Sequence, residues 1–378
     1  MSHRRPWWSG VAAIAATLAV TAKVTGAPEA APLNAYFGSL GAYPFTTGES
    51  GRHEGVFEVA RTHGRMDFLA IAMPTPSAAL RKTAASMSAG LEGRFVALWG
   101  WRYESSARGN YVHVLEPRGL EENALPHGRF DLFFTRWLPS RRDTTSQTPV
   151  VLLPQPIEFA LDHRINEFGS PPALPDAALP FIHTIEMITD QSNGSSPDTP
   201  GSTPYLSYLN AGFRVAPTAD VESSGRTGYA ISPRRTAILA EKLSKAHLLD
   251  SIRERRVYSS EDSNLRVSFS INGRQMGSVV ALEADTRLRI EVTFSDPDEP
   301  NAHYWVSLRR DAPGGAIEAA RELSGTNHDG DGRVVFTQFR RSSHDEYFVL
   351  RLQQMGRNGI DTVWTAPIWL IGRTDPAQ

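Results

Sequence analysis

Residues 53–73 read HEGVFEVARTHGRMDFLAIAM and predict a helix that leads directly into a buried strand. Val56, Phe57 and Ala60 fall on one helical face, and Gly64 ends that segment. The run MDFLAIAM that follows is almost continuously apolar, as expected for a strand that is buried on both faces. A helix followed by such a strand is typical of α/β folds.

The same alternation of apolar runs and amphipathic stretches continues to about residue 256. The predicted helices are residues 77–93, 127–138, 204–213 and 240–256, and the predicted strands are residues 94–101, 111–115, 149–154, 181–188 and 214–219. Strands that are buried on both faces and spaced by helices call for a parallel sheet covered by helices. Periodicity alone leaves a barrel and a doubly wound sheet equally open.

Beyond Asn264 the pattern changes to strict alternation, as in LRVSFSI, TRLRIEVTF and EYFVLRL, with turn residues between the runs. Short antiparallel strands without intervening helices predict a second, all-β domain in the form of a small sandwich. The loop NHDGDG at residues 327–332 spaces its acidic residues like a calcium loop. It lacks the later bidentate glutamate of an EF-hand, so we predict a hairpin turn there.

Composition excludes several classes of function. The chain has 378 residues, a formal net charge of -2 and no cysteine. Without cysteine there are no disulfides, thiolate nucleophiles or cysteine-ligated metals, so any metal must be bound by histidine and carboxylate ligands. Because basic and acidic residues are mixed along the chain, nothing predicts a nucleic-acid partner.

The N-terminus predicts export. Arg4 and Arg5 precede the apolar run at residues 11–22, which is shorter than the roughly 20 residues of a membrane-spanning helix. We therefore expect a cleaved signal peptide, with the general secretory and twin-arginine routes both open, and no membrane span in the mature chain. The expected domains are a signal peptide and spacer at 1–32, an α/β domain at 33–262 and a β domain at 263–378.

Several phrases in a fixed order carry a resemblance to a known family. They are YFGSLGAYPFTTGES at 36–50, GVFEVARTHGRMDFLAIAMPT at 55–75, NAGFRVAPTADVE at 210–222 and SIRERRVYSS at 251–260. In this order the chain resembles the polymerase-and-histidinol-phosphatase (PHP) superfamily of metallohydrolases, and most of all its carbaryl-hydrolase-like branch. The resemblance implies a distorted (β/α)7 barrel followed by a small C-terminal antiparallel β-sandwich.

The resemblance also implies two or three divalent metals at the mouth of the barrel, but the ligand positions have changed. They fall on Gly41, Tyr43, Met73, Pro74, Arg102, Tyr111, Gln155, Asp220 and Glu222. Asp220 alone keeps a ligand of the family's type, and the permanently charged guanidinium of Arg102 repels a cation. One matched carboxylate is too few for an ion that needs about four to six donors, so we expect no cofactor. We expect Zn, Mn or Fe to bind only under the alternative in which acidic residues form a new site.

Two sets of candidate site residues follow from that comparison. Asp220 and Glu222 stand two apart in an extended run and form either a catalytic acid/base pair or a structural salt bridge with Arg102. The expected lining of a ligand pocket is Tyr43, Arg102, Glu104, Tyr111, Gln155 and Glu186. Histidines on the predicted strands, His113 and His183, are expected to be hydrogen-bonded interior residues.

Aromatic residues gather on the third predicted strand and its surroundings. Trp99, Trp101 and Tyr103, with Tyr43 and Tyr111, either line a pocket for an organic or sugar-like ligand or fill the space left by the lost metals.

Three functions remain open from the sequence. The favoured one is a non-catalytic PHP-like protein that binds a small molecule or a partner. The alternative is a hydrolase of phosphoester, amide or carbamate bonds with a site rebuilt from Glu104, Glu186, Asp220 and Glu222, with or without a metal. In the third, the β domain acts as an adhesive or assembly module.

Overall fold

The computed structural model describes most of the chain from residue 32 onward. The described residues are 32–42, 51–75, 77–104, 111–116, 128–141, 150–153, 174–187, 204–219, 232–313, 321–356 and 359–372. All described elements belong to one compact unit that begins at Leu33.

Strands dominate the described part of the chain. They are β1 (Asn34–Ala42), β2 (Phe68–Met73), β3 (Val96–Glu104), β4 (Tyr111–Leu115), β5 (Val150–Leu153), β6 (Ile182–Glu186), β7 (Ala216–Thr218), β8 (Arg235–Ala240), β9 (Val257–Ser260), β10 (Arg266–Ile271), β11 (Arg274–Gln275), β12 (Val279–Leu282), β13 (Ile290–Ser295), β14 (His303–Asp311), β15 (Arg321–Asp329), β16 (Gly332–Phe336), β17 (Glu346–Gly356), β18 (Gly359–Thr365) and β19 (Ile368–Gly372). The helices are α1 (Gly51–Thr62), α2 (Ala78–Gly90), α3 (Phe130–Leu132), α4 (Pro204–Asn210) and α5 (Lys245–Arg253). Helix α3 continues as a π-helical turn at Phe133–Trp137.

Two helices begin where the sequence offers a capping serine. The Ser77 hydroxyl accepts a hydrogen bond from the backbone N–H of Leu80 at the start of α2, at 3.1 Å. Ser244 does the same for the N–H of His247 in α5, at 3.4 Å. Each cap satisfies one of the four N–H groups that a helix start leaves without a partner.

Most of the described strands join one large mixed sheet, in which 15 of them take part. Its order is β12-β19-β17-β18-β9-β8-β1-β2-β3-β4-β5-β6-β7, and β14 adds to β17 and β15 to β14. A second sheet has four strands in the order β11-β10-β13-β16. Pairing is parallel for β1–β2–β3 and for β5–β6–β7, whereas β4 is antiparallel to both β3 and β5.

The expected (β/α)7 barrel is therefore wrong. A barrel of that kind needs parallel strands throughout and a closed ring, but β4 and β8 run antiparallel to their neighbours. Among the described strands, β7 ends the hydrogen-bonded order. A physical reason lies in the connection from β3 to β4, which comprises residues 105–110 alone. A parallel crossover takes a dozen or more residues, so this connection is too short for one.

The expected separate C-terminal sandwich is also wrong. β18 pairs with β9, so the large sheet runs without interruption from the N-terminal strands into the C-terminal ones. One apolar core accordingly contains residues of both parts, such as Phe68 and Leu98 together with Phe269 and Leu350. Alternation correctly indicated β strands here, but it does not say which sheet a strand joins.

Residues 330 and 331 connect β15 to β16 without forming a hairpin. β15 ends at Asp329 and β16 begins at Gly332. β15 pairs with β14 in the large sheet, whereas β16 pairs with β13 in the small one. The turn therefore carries the chain from one sheet to the other, and the predicted hairpin is wrong.

Candidate functional site

Strands β3 to β6 place three polar side chains in one row across the large sheet. Arg102 lies opposite His113, His113 opposite Leu152, and Leu152 opposite Thr184. Residues directly opposite each other on neighbouring strands share a face of the sheet. Two strand spacings separate His113 from Thr184, or about 10 Å.

Next to this row, Glu104 lies opposite Tyr111 on the same face. Arg102 Nε donates to Glu104 Oε2 at 3.1 Å, and the guanidinium lies 3.7 Å from the centre of the Tyr111 ring. The Tyr111 ring in turn stacks on His113, with 5.1 Å between ring centres and 29° between planes. Arg102, Glu104, Tyr111, His113 and Thr184 are called the Arg102 site below.

His113 is the most unusual member of the Arg102 site. Its side chain is completely buried, and neither ring nitrogen has a hydrogen-bond partner within the described residues. Burial, reinforced by the positive charge of Arg102, lowers the pKa of His113 to about 3. The ring is therefore neutral at physiological pH, with one N–H donor and one acceptor nitrogen that the described protein leaves unused.

Thr184, two strands away from His113, is also a buried polar residue without a hydrogen-bond partner among the described residues. Its hydroxyl is fully buried and has no hydrogen-bond partner among the described residues. Buried polar atoms are normally satisfied, because leaving one without a partner costs about 1–3 kcal/mol. Sequence reasoning missed Thr184, since a threonine in a strand carries no signal beyond its β propensity.

The structure brings together part of the predicted pocket lining. Arg102, Glu104 and Tyr111 are in contact as described, and Glu186 is buried in β6 opposite Thr218. The other predicted residues, Tyr43, Gln155, Asp220 and Glu222, lie outside the described residues. The predicted choice between a catalytic pair and a salt bridge at Asp220 and Glu222 thus stays a prediction.

For the two strand histidines, burial is confirmed but full hydrogen bonding is not. His113 has no partner, as stated, and His183 Nδ1 has none within the described part of the chain. Burial, followed by the charges of Arg255 and Arg253, lowers the pKa of His183 well below its ordinary value. Both rings are thus held in the neutral form by desolvation.

The tryptophans and Tyr103 do not line the Arg102 site. Trp101 and Tyr103 alternate with Arg102 along β3 and point to the opposite face. There Tyr103 stacks on Phe133 at 4.8 Å between ring centres, and Trp101 meets Trp137 at 5.6 Å. Trp99 is buried in the core around α1 and α2. These rings pack against helices, so among the described members of the aromatic set Tyr111 is the one that faces the Arg102 site.

Metal ligation at the former PHP ligand positions has no support in the described residues. No group of three or more His, Asp or Glu side chains is placed there to hold an ion. At the former ligand position Pro74, the backbone carbonyl instead accepts a hydrogen bond from Trp101 Nε1 at 3.1 Å. Arg102 stands at another of these positions and keeps its positive charge beside His113.

A cavity of about 830 Å³ lies away from the Arg102 site. Residues of β1, β8, β10 and β13 line it, including Tyr36, Asp67 and Arg266. Asp67 Oδ2 accepts a hydrogen bond from the backbone N–H of Phe37 at 2.8 Å, while burial raises the pKa of Asp67. The carboxyl thus joins β1 to the start of β2.

Comparison with known proteins identifies no family. No protein-family model matches the chain, and no curated protein is significantly similar to it. Among solved structures, the crystal structure of the PmoD soluble domain from Methylocystis sp. ATCC 49242 (Rockwell) matches with a TM-score of 0.20 and 9% identity. The match covers 28% of this chain and 90% of that one, and at this TM-score it carries no argument.

Within the described residues, no helix has the length and apolarity to cross a membrane.

Proposed function

We propose that this chain is a binding protein that takes a small, neutral, hydroxylated ring compound at the Arg102 site. The observation that carries the proposal is His113, which is fully buried with both ring nitrogens unpartnered among the described residues. A ligand with hydroxyl groups would supply the missing donor and acceptor. It would also remove a cost of about 1–3 kcal/mol for each unsatisfied group.

The charges favour a neutral ligand. Arg102 is already paired with Glu104, and the two side chains are 16% and 35% exposed. The pair has no net charge, so an ionic ligand would have to be desolvated without a free counter-charge to compensate. A hydroxylated ring avoids that penalty and can still stack on an aromatic face.

Tyr111 is the residue that would control access. Its ring contacts both the Arg102 guanidinium and the His113 ring, so it packs directly against the imidazole. If the Tyr111 side chain rotated, its ring would no longer stack on His113, and a ligand could contact the imidazole in its place. Thr184, about 10 Å from His113 across two strand spacings, would then hydrogen-bond the far side of the ring.

The test uses methyl α-D-glucoside and phenol as probes, with saturation-transfer NMR and thermal unfolding as readouts. We expect saturable binding of at least one probe to the wild-type chain and its loss in His113→Leu. The matched control is His63→Leu, which makes the same change at an exposed histidine at the end of α1. Circular dichroism establishes that each variant is folded. Equal binding by wild type and His113→Leu, or no binding of either probe to the wild type, contradicts the proposal.

The alternative function remains a hydrolase with a rebuilt acidic site. The observation in its favour is Glu186, a carboxyl group that is buried on the sheet face of the Arg102 site. Measuring bound Zn, Mn and Fe in chain purified without added metal decides it. Near-stoichiometric metal that disappears in the Asp220→Ala, Glu222→Ala double variant would support a rebuilt metal site. Hydrolysis of a phosphoester or carbamate that is lost in the same variant would then displace the binding proposal.

Export and descent from the PHP superfamily stay predictions. Export rests on residues 1–31, which lie outside the described residues, and fractionation of cells with N-terminal sequencing of the mature chain tests it. The family resemblance rests on the order of sequence phrases, since the barrel that it implied is not formed.

A further inference from the structure

Four aspartates from separate parts of the chain meet beside β17 and β18. Asp262 follows β9, Asp296 follows β13, Asp331 stands in the turn before β16, and Asp361 belongs to β18. Asp331 Oδ1 accepts a hydrogen bond from the backbone N–H of Asp296 at 2.9 Å. Gln354 Nε2 donates to Asp296 Oδ2 at 2.5 Å, and Gln354 lies opposite Asp361 in the sheet. These four aspartates are called the acidic cluster below.

Three buried oxygen atoms without partners among the described residues lie on residues beside the acidic cluster. Gln354 is 1% exposed, and its Oε1 has no hydrogen-bond partner in the described part of the chain, although Nε2 of the same amide donates to Asp296. Tyr304 lies opposite Gln354 in β14, is fully buried and has an unpartnered hydroxyl. Asn264 Oδ1 is a third unpartnered oxygen, while Asn264 Nδ2 donates to Asp298 at 2.9 Å. Three oxygens therefore lack the donor or cation that burial normally requires.

No positive charge from the described residues is paired with the acidic cluster. None of the ion pairs in the described part of the chain includes any of the four aspartates. The charge of Arg235 acts on Asp262, but Arg235 is not within ion-pair distance. The backbone N–H groups of Asn264 and Leu265 donate to Asp262, but within the described residues no cationic side chain at ion-pair distance offsets the repulsion between these like charges.

We propose that the acidic cluster, together with Gln354 Oε1 and Asn264 Oδ1, binds a calcium ion. Calcium takes six to eight oxygen ligands, and it accepts carboxylates and amide oxygens in irregular geometry. Both ligand types are present in the set, and the ion would supply the charge that the aspartates lack. Magnesium is a poorer match, because it demands near-octahedral geometry and gives up its water ligands reluctantly.

Binding must draw the ligands together. In the described residues no three carboxylates or histidines already surround a single point. Asp361 is half-buried and Asp331 is exposed, so both side chains have room to rotate toward an ion. Asp296 is fully buried and anchored by Gln354 and the backbone N–H of Asp298, so it is the fixed ligand around which the others close.

The test is calorimetric titration of the full chain, first freed of metal with a chelator, with calcium chloride or magnesium chloride at constant ionic strength. We expect saturable calcium binding that raises the thermal unfolding temperature, and weaker magnesium binding. In Asp361→Asn, calcium affinity should fall about tenfold or more, because one ligand charge is lost. The same variant should unfold at a higher temperature than the wild type without metal at neutral pH, because repulsion is relieved. That gain shows that it folds.

The matched control is Asp285→Asn, the same change at an exposed aspartate that is paired with Arg340. It should leave calcium affinity unchanged. The proposal is overturned if neither ion binds the wild-type chain, or if Asp361→Asn binds calcium as tightly as Asp285→Asn does. The result is independent of the proposed function, since the Arg102 site has none of these residues.

Discussion

The Arg102 site and the acidic cluster both contain buried polar atoms without partners, but their charges differ. In the Arg102 site, Glu104 compensates Arg102, and the atoms without a partner among the described residues are the ring nitrogens of His113 and the hydroxyl of Thr184. In the described residues no cation is paired with the aspartates of the acidic cluster, and the unpartnered atoms beside the cluster include Gln354 Oε1. The pKa of His113 is lowered to about 3, and that of Asp361 is raised to about 6.

Both shifts favour the neutral form, because burial penalises charge of either sign. The Arg102 site and the acidic cluster differ in the kind of ligand that could satisfy their unpartnered atoms. Where charge is balanced, a neutral hydrogen-bonding molecule suffices. Where negative charge is left over, a cation is needed. The local sign of charge, more than burial, therefore distinguishes the two ligand classes.

The largest expected effect concerns His113. Replacing it with leucine should raise the free energy of unfolding by about 2 kcal/mol, because two buried nitrogens without partners are removed and an apolar group remains against Tyr111. Urea denaturation measures the change, and His63→Leu should stay within about 0.5 kcal/mol of the wild type. If His113→Leu instead lowered the free energy of unfolding by about 2 kcal/mol, the ring nitrogens of His113 would have to be satisfied in the folded chain. The Arg102 site would then not resemble the acidic cluster in having unpartnered buried atoms.

A smaller effect concerns the pH dependence of the acidic cluster. The folded-state pKa of Asp361 is about 6, above the ordinary value of 3.8, so the folded chain binds a proton that the unfolded chain releases. The resulting stability is fully present below about pH 4 and is lost as pH rises through about 6. We expect about 1 kcal/mol from this residue, because water screens the half-exposed carboxyl.

Thermal and urea unfolding between pH 4 and 7 measure this contribution as the difference between wild type and Asp361→Asn. Saturating calcium should remove the difference in slope, because a bound ion holds the carboxylate ionised. Parallel pH curves for the two proteins without metal would show that Asp361 does not titrate as proposed.

The smallest effect concerns the Arg102–Glu104 pair. A double-mutant cycle with Arg102→Met and Glu104→Gln should give a coupling energy of about 0.5 kcal/mol, because the pair is partly exposed to water. Raising the salt concentration to about 1 M should reduce the coupling further. A coupling above about 2 kcal/mol would mean that the pair is effectively desolvated, and a neutral-ligand site would then need another explanation.

Much of the secondary structure could be predicted from local pattern. The buried run MDFLAIAM is strand β2, YVHVL is β4, and the serine-capped stretch after residue 77 is α2. The direction of β4 could also have been read, because residues 105–110 are too few for a parallel crossover. A barrel could be expected only because the short length of this connection was not considered.

The candidate site was predictable only in part. Arg102 and Glu104 stand two apart on one strand, so period-two alternation puts them on one face. The same rule puts Trp101 and Tyr103 on the other face, against Phe133 and Trp137, yet their role as core residues depends on helix contacts that alternation does not contain. Thr184 joins the Arg102 site through pairing across β5, which no local pattern specifies.

By itself, the sequence determined where strands and helices form and how side chains alternate along them, because these depend on neighbours a few residues away. Only the tertiary structure decided strand direction, the continuity of the sheet from β9 into β18 and the meeting of four aspartates. Asp262 and Asp361 are far apart in the chain, and their repulsion exists only once folding has brought them together and removed water from between them. Carboxylates that do not interact in an extended chain therefore repel one another in the folded chain, and the proposed calcium site follows from that proximity.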